Sequence, residues 1–165
     1  MTASELERLF AEHAQAVYGF LAYRAGDPTV AEDLLGDTFE RIVRSRRRFD
    51  AGKGAEKAWI YTIALNCLRD HLRRAEVERK AYDRTDPAEA EDHFAQIHDR
   101  DLLLRGLDGL PAGEREVMAL RYGADLKLED IAVVTGLPTT TVRGRLYSGL
   151  RRLRELLEPD RTRSS

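Results

Sequence analysis

A single cysteine, five prolines and 7% aromatic residues in a chain of 165 leave out several kinds of protein. One thiol, Cys67, forms no internal disulfide and cannot furnish a thiolate-rich zinc site. No apolar run approaches the ~20 residues that a bilayer-spanning helix needs. The opening MTASELERLF lacks the basic start and continuous apolar core of a secretory signal. Together these features predict a cytoplasmic protein that is not itself a membrane protein. The histidines (His13, His71, His93 and His98) show no spacing that groups them into a full ligand set, and neither a phosphate-cradling glycine loop nor a nucleophile motif is present. Two fragments of catalytic vocabulary remain. His98-Asp99 has the dipeptide of metal-dependent phosphohydrolases, which a solvated histidine at a helix start also explains, and Cys67 with His71 puts two ligand types one turn apart. Neither makes a site, so no enzyme, metal or cofactor is predicted.

What is present is charge, at 34% of residues, divided almost evenly between 27 basic and 29 acidic side chains for a net −2. DNA affinity comes mainly from neutralised phosphates and released counterions. A slightly acidic chain with only local basic patches should hold DNA weakly alone and better on a larger carrier. The length suits one ordinary domain or two small ones.

The basic patch that matters most lies between Leu128 and Leu157. A short helix places Leu128, Ile131, Ala132 and Thr135 on one face, and Gly136 suits the left-handed residue that ends it. Pro138 blocks continuation, and Thr139 is a fitting N-cap for the next helix. There Val142, Leu146, Leu150, Leu153 and Leu157 form an apolar stripe, and Arg143, Tyr147, Ser148, Arg151, Arg152 and Arg154 lie opposite. A short helix, a glycine turn and a longer basic helix make a helix-turn-helix, whose second helix enters the DNA major groove. Two core helices with a solvated basic face would share the stripe. They would not need the small Ala132, the turn glycine and the branched Val142 together.

Upstream, Ser4 can cap a helix bearing Leu6, Leu9, Phe10, Val17, Phe20 and Leu21 on one side, ending before the turn Gly26-Asp27-Pro28. The next helix opens either at Asp27 with Pro28 behind it or with a capping box from Thr29 to Glu32. It carries Val30, Leu34, Leu35, Phe39, Ile42 and Val43 and finishes in the basic run Arg44 to Arg48, which suits either a helix C-terminus or a nucleic acid. After a loop at 49–54 a helix resumes at Ala55. Asn66, a poor helix-interior residue, predicts a break and then a short helix bearing Arg69, Arg73 and Arg74. From Tyr82 to His98 the chain turns acidic and loses periodicity, which reads as a linker. Two further helices, Asp99–Asp108 and Pro111–Tyr122, follow. The predicted architecture is all-α, with two small helical domains (1–80 and 99–165) joined by an acidic linker at 81–98, the second domain a helix-turn-helix.

Five stretches, taken in order, resemble extracytoplasmic-function sigma factors, the compact group of the sigma-seventy family of bacterial RNA polymerase initiation subunits. They are Ala31-Glu-Asp-Leu-Leu-Gly-Asp-Thr-Phe39, Ala58-Trp-Ile-Tyr-Thr-Ile-Ala-Leu-Asn66, Leu110-Pro-Ala-Gly-Glu-Arg115, Leu120-Arg-Tyr122 and Thr141-Val-Arg-Gly-Arg-Leu146. The resemblance spans about residues 5 to 157 and implies a function: promoter recognition and DNA opening on core RNA polymerase. It places polymerase docking on Asp33, Leu34, Asp37, Thr38 and Phe39. Acidic residues early in a helix also favour its dipole without any partner. It places the opened downstream promoter element on Tyr61, Asn66, Arg69, Arg73 and Arg74, where a base turned out of the stack needs compensating contacts. Tyr61 fits core or surface equally, and Trp59 suits the core. Duplex contacts upstream fall on Thr141, Arg143, Gly144, Arg145, Tyr147, Ser148 and Arg151, with Arg143 able to read guanine through a bidentate pair. The family commonly has Gln at Gly36, a departure that costs local helix stability at the docking surface; it commonly has Ser at Gly144 and a basic residue at Ser148, so this chain's upstream preference should be unusual. In the family the linker threads toward the active centre and RNA exit path; an ordinary solvated linker has the same composition. Implied partners are core RNA polymerase, promoter DNA and an anti-sigma factor. A stand-alone helix-turn-helix regulator is the alternative, and it predicts a dimer on a palindromic site.

Overall fold

The chain is all-α in the computed structural model, which describes residues 2–45, 49, 55–81 and 107–157. Three long helices come first: α1 (Ala3–Ala25), α2 (Pro28–Ser45) and α3 (Glu56–Ala81). In the second half α4 (Ala112–Met118) runs into a π-helical turn (Ala119–Gly123), followed by α5 (Leu128–Thr135) and α6 (Thr139–Leu157). Among the described residues there is no strand, and no helix is long and apolar enough to cross a membrane. The acidic stretch 82–98 and most of the helix expected at 99–108 lie outside the described residues, as do Arg46 to Arg48.

Helix ends follow local chemistry, with some corrections to the sequence reading. Thr2, not Ser4, caps α1: its hydroxyl accepts from the Glu5 amide and the Glu5 carboxylate accepts from the Thr2 amide. The pair satisfies two amide donors that Ser4, already inside the helix, cannot reach. Gly26 closes α1 at φ 76°, a left-handed conformation that glycine adopts without a Cβ clash. Asp27, rather than the Thr29 box, opens α2, its Oδ1 accepting from the Thr29 amide at 2.9 Å. Gly136 ends α5 at φ 75°, as expected. Thr139 is the first residue of α6 instead of its cap, because the Pro138 carbonyl already accepts from the Val142 amide.

The break expected at Asn66 is absent. α3 runs unbroken for 26 residues. Asn66 points its side chain to solvent while Ala64, Leu65, Cys67 and Leu68 on either side are buried. Each buried leucine contributes on the order of 1.5–3 kcal/mol, against less than about 0.7 kcal/mol for the asparagine's poor helix propensity. Packing wins.

The first three helices pack on one another around Leu9, Val17, Leu21, Ile42, Ile60 and Leu65, all fully buried. In the second half α4 and α5 pack on α6 around Val117, Ile131 and Val142. Val142 locks the helix-turn-helix, whereas Leu150, expected in the same stripe, is 42% exposed. The two halves touch: α5 lies on α3, and the π-helical turn lies on α1.

Candidate nucleic-acid interface

α6 divides its arginines between two tasks. Val142, Leu146 and Leu153 anchor it, and Gly149 lets it come close to α4, since a Cβ there would sit 3.0 Å from Met118 Cγ. Arg152 Nε turns back to Glu114 Oε2 at 3.2 Å. Arg145 also turns back, lying over Gly113, where a Cβ would meet its guanidinium; this half-buried arginine belongs to the packing of α4 on α6, not to the outward face that sequence reasoning gave it. Arg143, Gly144, Tyr147 and Arg151 are exposed, Tyr147 at 72%, and Thr141 and Ser148 are half-buried beside them. The exposed set recurs at helical spacing and forms one solvent-facing strip with open space at Gly144.

α3 presents a second polar strip. Asn66, Arg69, Arg73 and Arg74 are exposed on it. Arg73 Nη2 lies 3.0 Å from Asp70 Oδ1, and Arg69 Nη2 lies 3.1 Å from Glu116 Oε2 of α4. Tyr61 is a correction. It is fully buried, edge-on to Phe20 at 5.7 Å between ring centres, and burial pushes its hydroxyl up to about 12. The same helix face that buries Ala58, Leu65 and Leu68 carries Tyr61 inward, so it offers nothing to DNA. Trp59 is half-buried against Phe49, as the core reading had it.

On α2 the expected docking residues split by helical phase. Asp33 and Asp37 are exposed, and Phe39 is half-buried. Leu34 and Thr38 face the core, with the Thr38 hydroxyl donating to the Leu34 carbonyl at 2.7 Å. They hold the helix and cannot touch a partner, which corrects their place in the docking set. Sequence reasoning missed the apolar groove beside them. Phe10, 53% exposed and edge-on to Phe39 at 5.0 Å, lines it with Leu6 and Val43. Phe10 and Val43 sit on apolar stripes, and sequence alone does not say where a stripe overshoots its core.

Two charged clusters complete the electrostatics. Arg8 donates to both Glu56 oxygens and to Glu12, with His13 alongside, and these bonds hold the Glu56 carboxyl below the usual carboxylate range. Glu12, His13 and Glu56 are close enough together to hold a cation, but Arg8 already serves both carboxylates. Where α1 meets the second half, burial pushes Tyr23 up to about 12 and lowers Arg24, helped by the neighbouring Arg115 charge. Cys67 is buried under Thr38, and burial raises its thiol.

This geometry has counterparts among known proteins. Residues 9–78 match the family described as Sigma-70 region 2, and residues 106–155 match Sigma-70, region 4. The RNA polymerase sigma factor CarQ of Myxococcus xanthus is 36% identical over 154 residues, covering 92% of this chain and 88% of that protein. The structure of CnrH in complex with the cytosolic domain of CnrY is similar at a TM-score of 0.69 and 26% identity, covering 96% and 91% of the two chains. The sigma factor RpoE of Bartonella quintana, solved with the anti-sigma factor NepR, shares the fold at a TM-score of 0.80 and 24% identity, over 96% of this chain and 99% of that one. A stand-alone regulator would not carry a region-2 match ahead of its helix-turn-helix. With both halves matched in order and a relative this similar over nearly its whole length, the chain belongs to the extracytoplasmic-function sigma factors, the initiation subunits that give RNA polymerase its promoters.

Proposed function

We propose that the two halves divide promoter recognition between them. Residues 1–80 dock on core polymerase through Asp33, Asp37 and Phe39 on α2 and hold the opened downstream element along Asn66, Arg69, Arg73 and Arg74. Residues 81–98 link them to residues 99–165, which read the upstream duplex. The observation that carries this reading is the outward strip of α6: Arg143, Gly144, Tyr147 and Arg151 stand clear while Val142, Leu146 and Leu153 fix the helix beneath them. Arg143 would pair with a guanine edge, and Arg151 would neutralise a phosphate.

The proposed mechanism is differential binding with no covalent step. DNA is held more tightly open than closed, because an exposed asparagine amide both donates and accepts at a base edge, and the arginines take up the separated backbone. Weak DNA affinity at net −2 is then no handicap, since mounting both modules on polymerase raises their effective concentration. The groove of Leu6, Phe10, Phe39 and Val43 adjoins the docking carboxylates and extends that surface with apolar area. A protein that binds the chain away from polymerase is a further proposed partner, supported by the likeness to CnrH, solved with the cytosolic domain of CnrY. Cytoplasmic residence goes with such partners.

Run-off transcription with purified core enzyme and a random promoter library tests the reading. Start sites should cluster behind two short sequence elements, and a core-enzyme pull-down should retain the protein. A dimer in gel filtration that ignores polymerase would overturn it.

A further inference from the structure

We infer that the protein carries a site for a small phosphate-bearing anion between α1 and α4, built from Tyr23, Arg24 and Arg115. Among the described residues Arg24 makes neither a hydrogen bond nor an ion pair, and its Nε is buried. Arg115 Nε and the Tyr23 hydroxyl are buried without a hydrogen-bond partner as well. The three are near enough to act on one another: both guanidinium charges act on the Tyr23 hydroxyl, and Arg115 disfavours the charge on Arg24. A guanidinium stays protonated in a protein, so two like charges are held together with donors unfilled. Native structures rarely leave buried polar groups in this condition, and a bound ion is one physical reason when they do.

The carboxylates nearby do not supply what is missing. Asp108 reaches Arg115 only at 3.7 Å, and its own side chain is 55% exposed and so largely solvated. Glu116 acts on Arg24 too, but its Oε2 pairs with Arg69 at 3.1 Å. Arg24, Arg69 and Arg115 thus stand against two carboxylates, which leaves one positive charge over. Guanidinium forks match the oxygens of a phosphate two at a time, and the Tyr23 hydroxyl adds a further donor. With neither Arg24 nor Arg115 closely paired, a doubly charged phosphate suits the cluster better than a single carboxylate. The donors lie beneath the surface, out of reach of a duplex backbone, whereas Arg115 is 27% exposed and leaves one edge open to solvent. That edge admits a small ion or ester.

The test uses the full chain. At constant ionic strength the melting temperature should rise with added inorganic phosphate and then saturate, because an ion bound only by the folded chain stabilises it. Acetate and chloride should produce no such saturation. Arg24→Met exchanges an unpaired, partly buried charge for an unbranched apolar side chain. It should raise the melting temperature without phosphate and abolish the response to it. Tyr23→Phe removes only the unpartnered hydroxyl, so it should fold normally and bind phosphate several-fold more weakly in titration calorimetry. Arg143→Ala, on the outward strip of α6, should bind as the wild type does. Parallel titrations with pyrophosphate and a nucleoside triphosphate separate the sources: tighter binding of either assigns the phosphate to a larger molecule, and tighter binding of phosphate assigns the bare ion. No saturable response in the wild type, an equal response to acetate, or one that survives Arg24→Met would overturn the site.

Discussion

Helices α3 and α6 both carry arginines at helical spacing, yet their charges stand in different conditions. On α3 two of the strip's three arginines are already engaged by carboxylates: Arg69 by Glu116 at 3.1 Å and Arg73 by Asp70 at 3.0 Å. On α6 the arginines are sorted by direction, Arg145 and Arg152 turned back to α4, Arg143 and Arg151 outward. Among the described residues no ion pair engages those two. Counting arginines thus overstates what α3 offers to DNA and describes α6 well. For α3, binding exchanges one anion for another; for α6, binding releases counterions from phosphate with little to give up. Under the proposed division of roles, the half that would read duplex is preformed, and the half that would hold opened DNA must first surrender two of its arginines' partners.

The sharpest way to break this comparison is to damage α6 at its seat. Gly149→Val adds a branched side chain where even a Cβ presses on Met118 at 3.0 Å, and overpacking of this kind costs about 1–3 kcal/mol. Hydrogen exchange should show α4 and α6 losing protection while α1 to α3 keep theirs. Equal loss in both halves would mean that they fold as one unit and that no separate comparison is possible. Arg143→Ala comes next, costing about 1–3 kcal/mol at one upstream base pair, and Arg151→Ala, which removes the proposed phosphate contact, should lower the salt slope of promoter binding by about 1. Arg73→Ala, already paired to Asp70, should lower that slope by less, as holoenzyme–promoter titrations at several salt concentrations would register. Equal slopes would erase the distinction between the helices.

Much of this was legible in the chain before any coordinates. Gly136, Pro138 and Val142 carry the helix-turn-helix because each does one local thing: end a helix, prevent its continuation, pin the next one. The long helices were legible for the same reason, as apolar residues recur at their spacing. Asn66 misled because propensity is a local quantity, and the buried Leu65 and Leu68 beside it decide the outcome. Tyr61, Leu34 and Thr38 misled differently. A motif names neighbours in sequence, and on a helix neighbours alternate between core and surface, so a run of docking or DNA residues must contain some that only hold the others in place. The groove at Phe10 and the pair Arg69–Glu116 had no local signature, since each joins elements distant in the chain.

Asn66→Ala addresses the α3 side with a smaller effect. Its amide is exposed and has no part in the core, so the helix should be slightly stabilised while opening of the downstream element loses about 1 kcal/mol, the worth of an ordinary hydrogen bond. Permanganate footprinting should show weaker thymine reactivity at unchanged core-enzyme binding. If opening is unaffected, the strip on α3 supplies charge alone and the two helices differ less than argued.

Gly144→Ala carries the smallest effect and separates two explanations of one residue. Nothing lies within 4 Å of a Cβ built there, so the substitution meets no obstacle in the protein and replaces a poor helix former with the best one. The gain should be up to about 1 kcal/mol in the stability of α6, readable as a rise in the melting temperature of the second half. That the chain does without this gain is explained if DNA approaches the backbone here, between the exposed Arg143 and Tyr147. Alanine should then stabilise the protein and weaken upstream binding together, with the loss confined to promoters that match the preferred element. If stability rises and binding does not fall, Gly144 serves no close approach, and reading of the groove rests on Arg143 and its exposed neighbours.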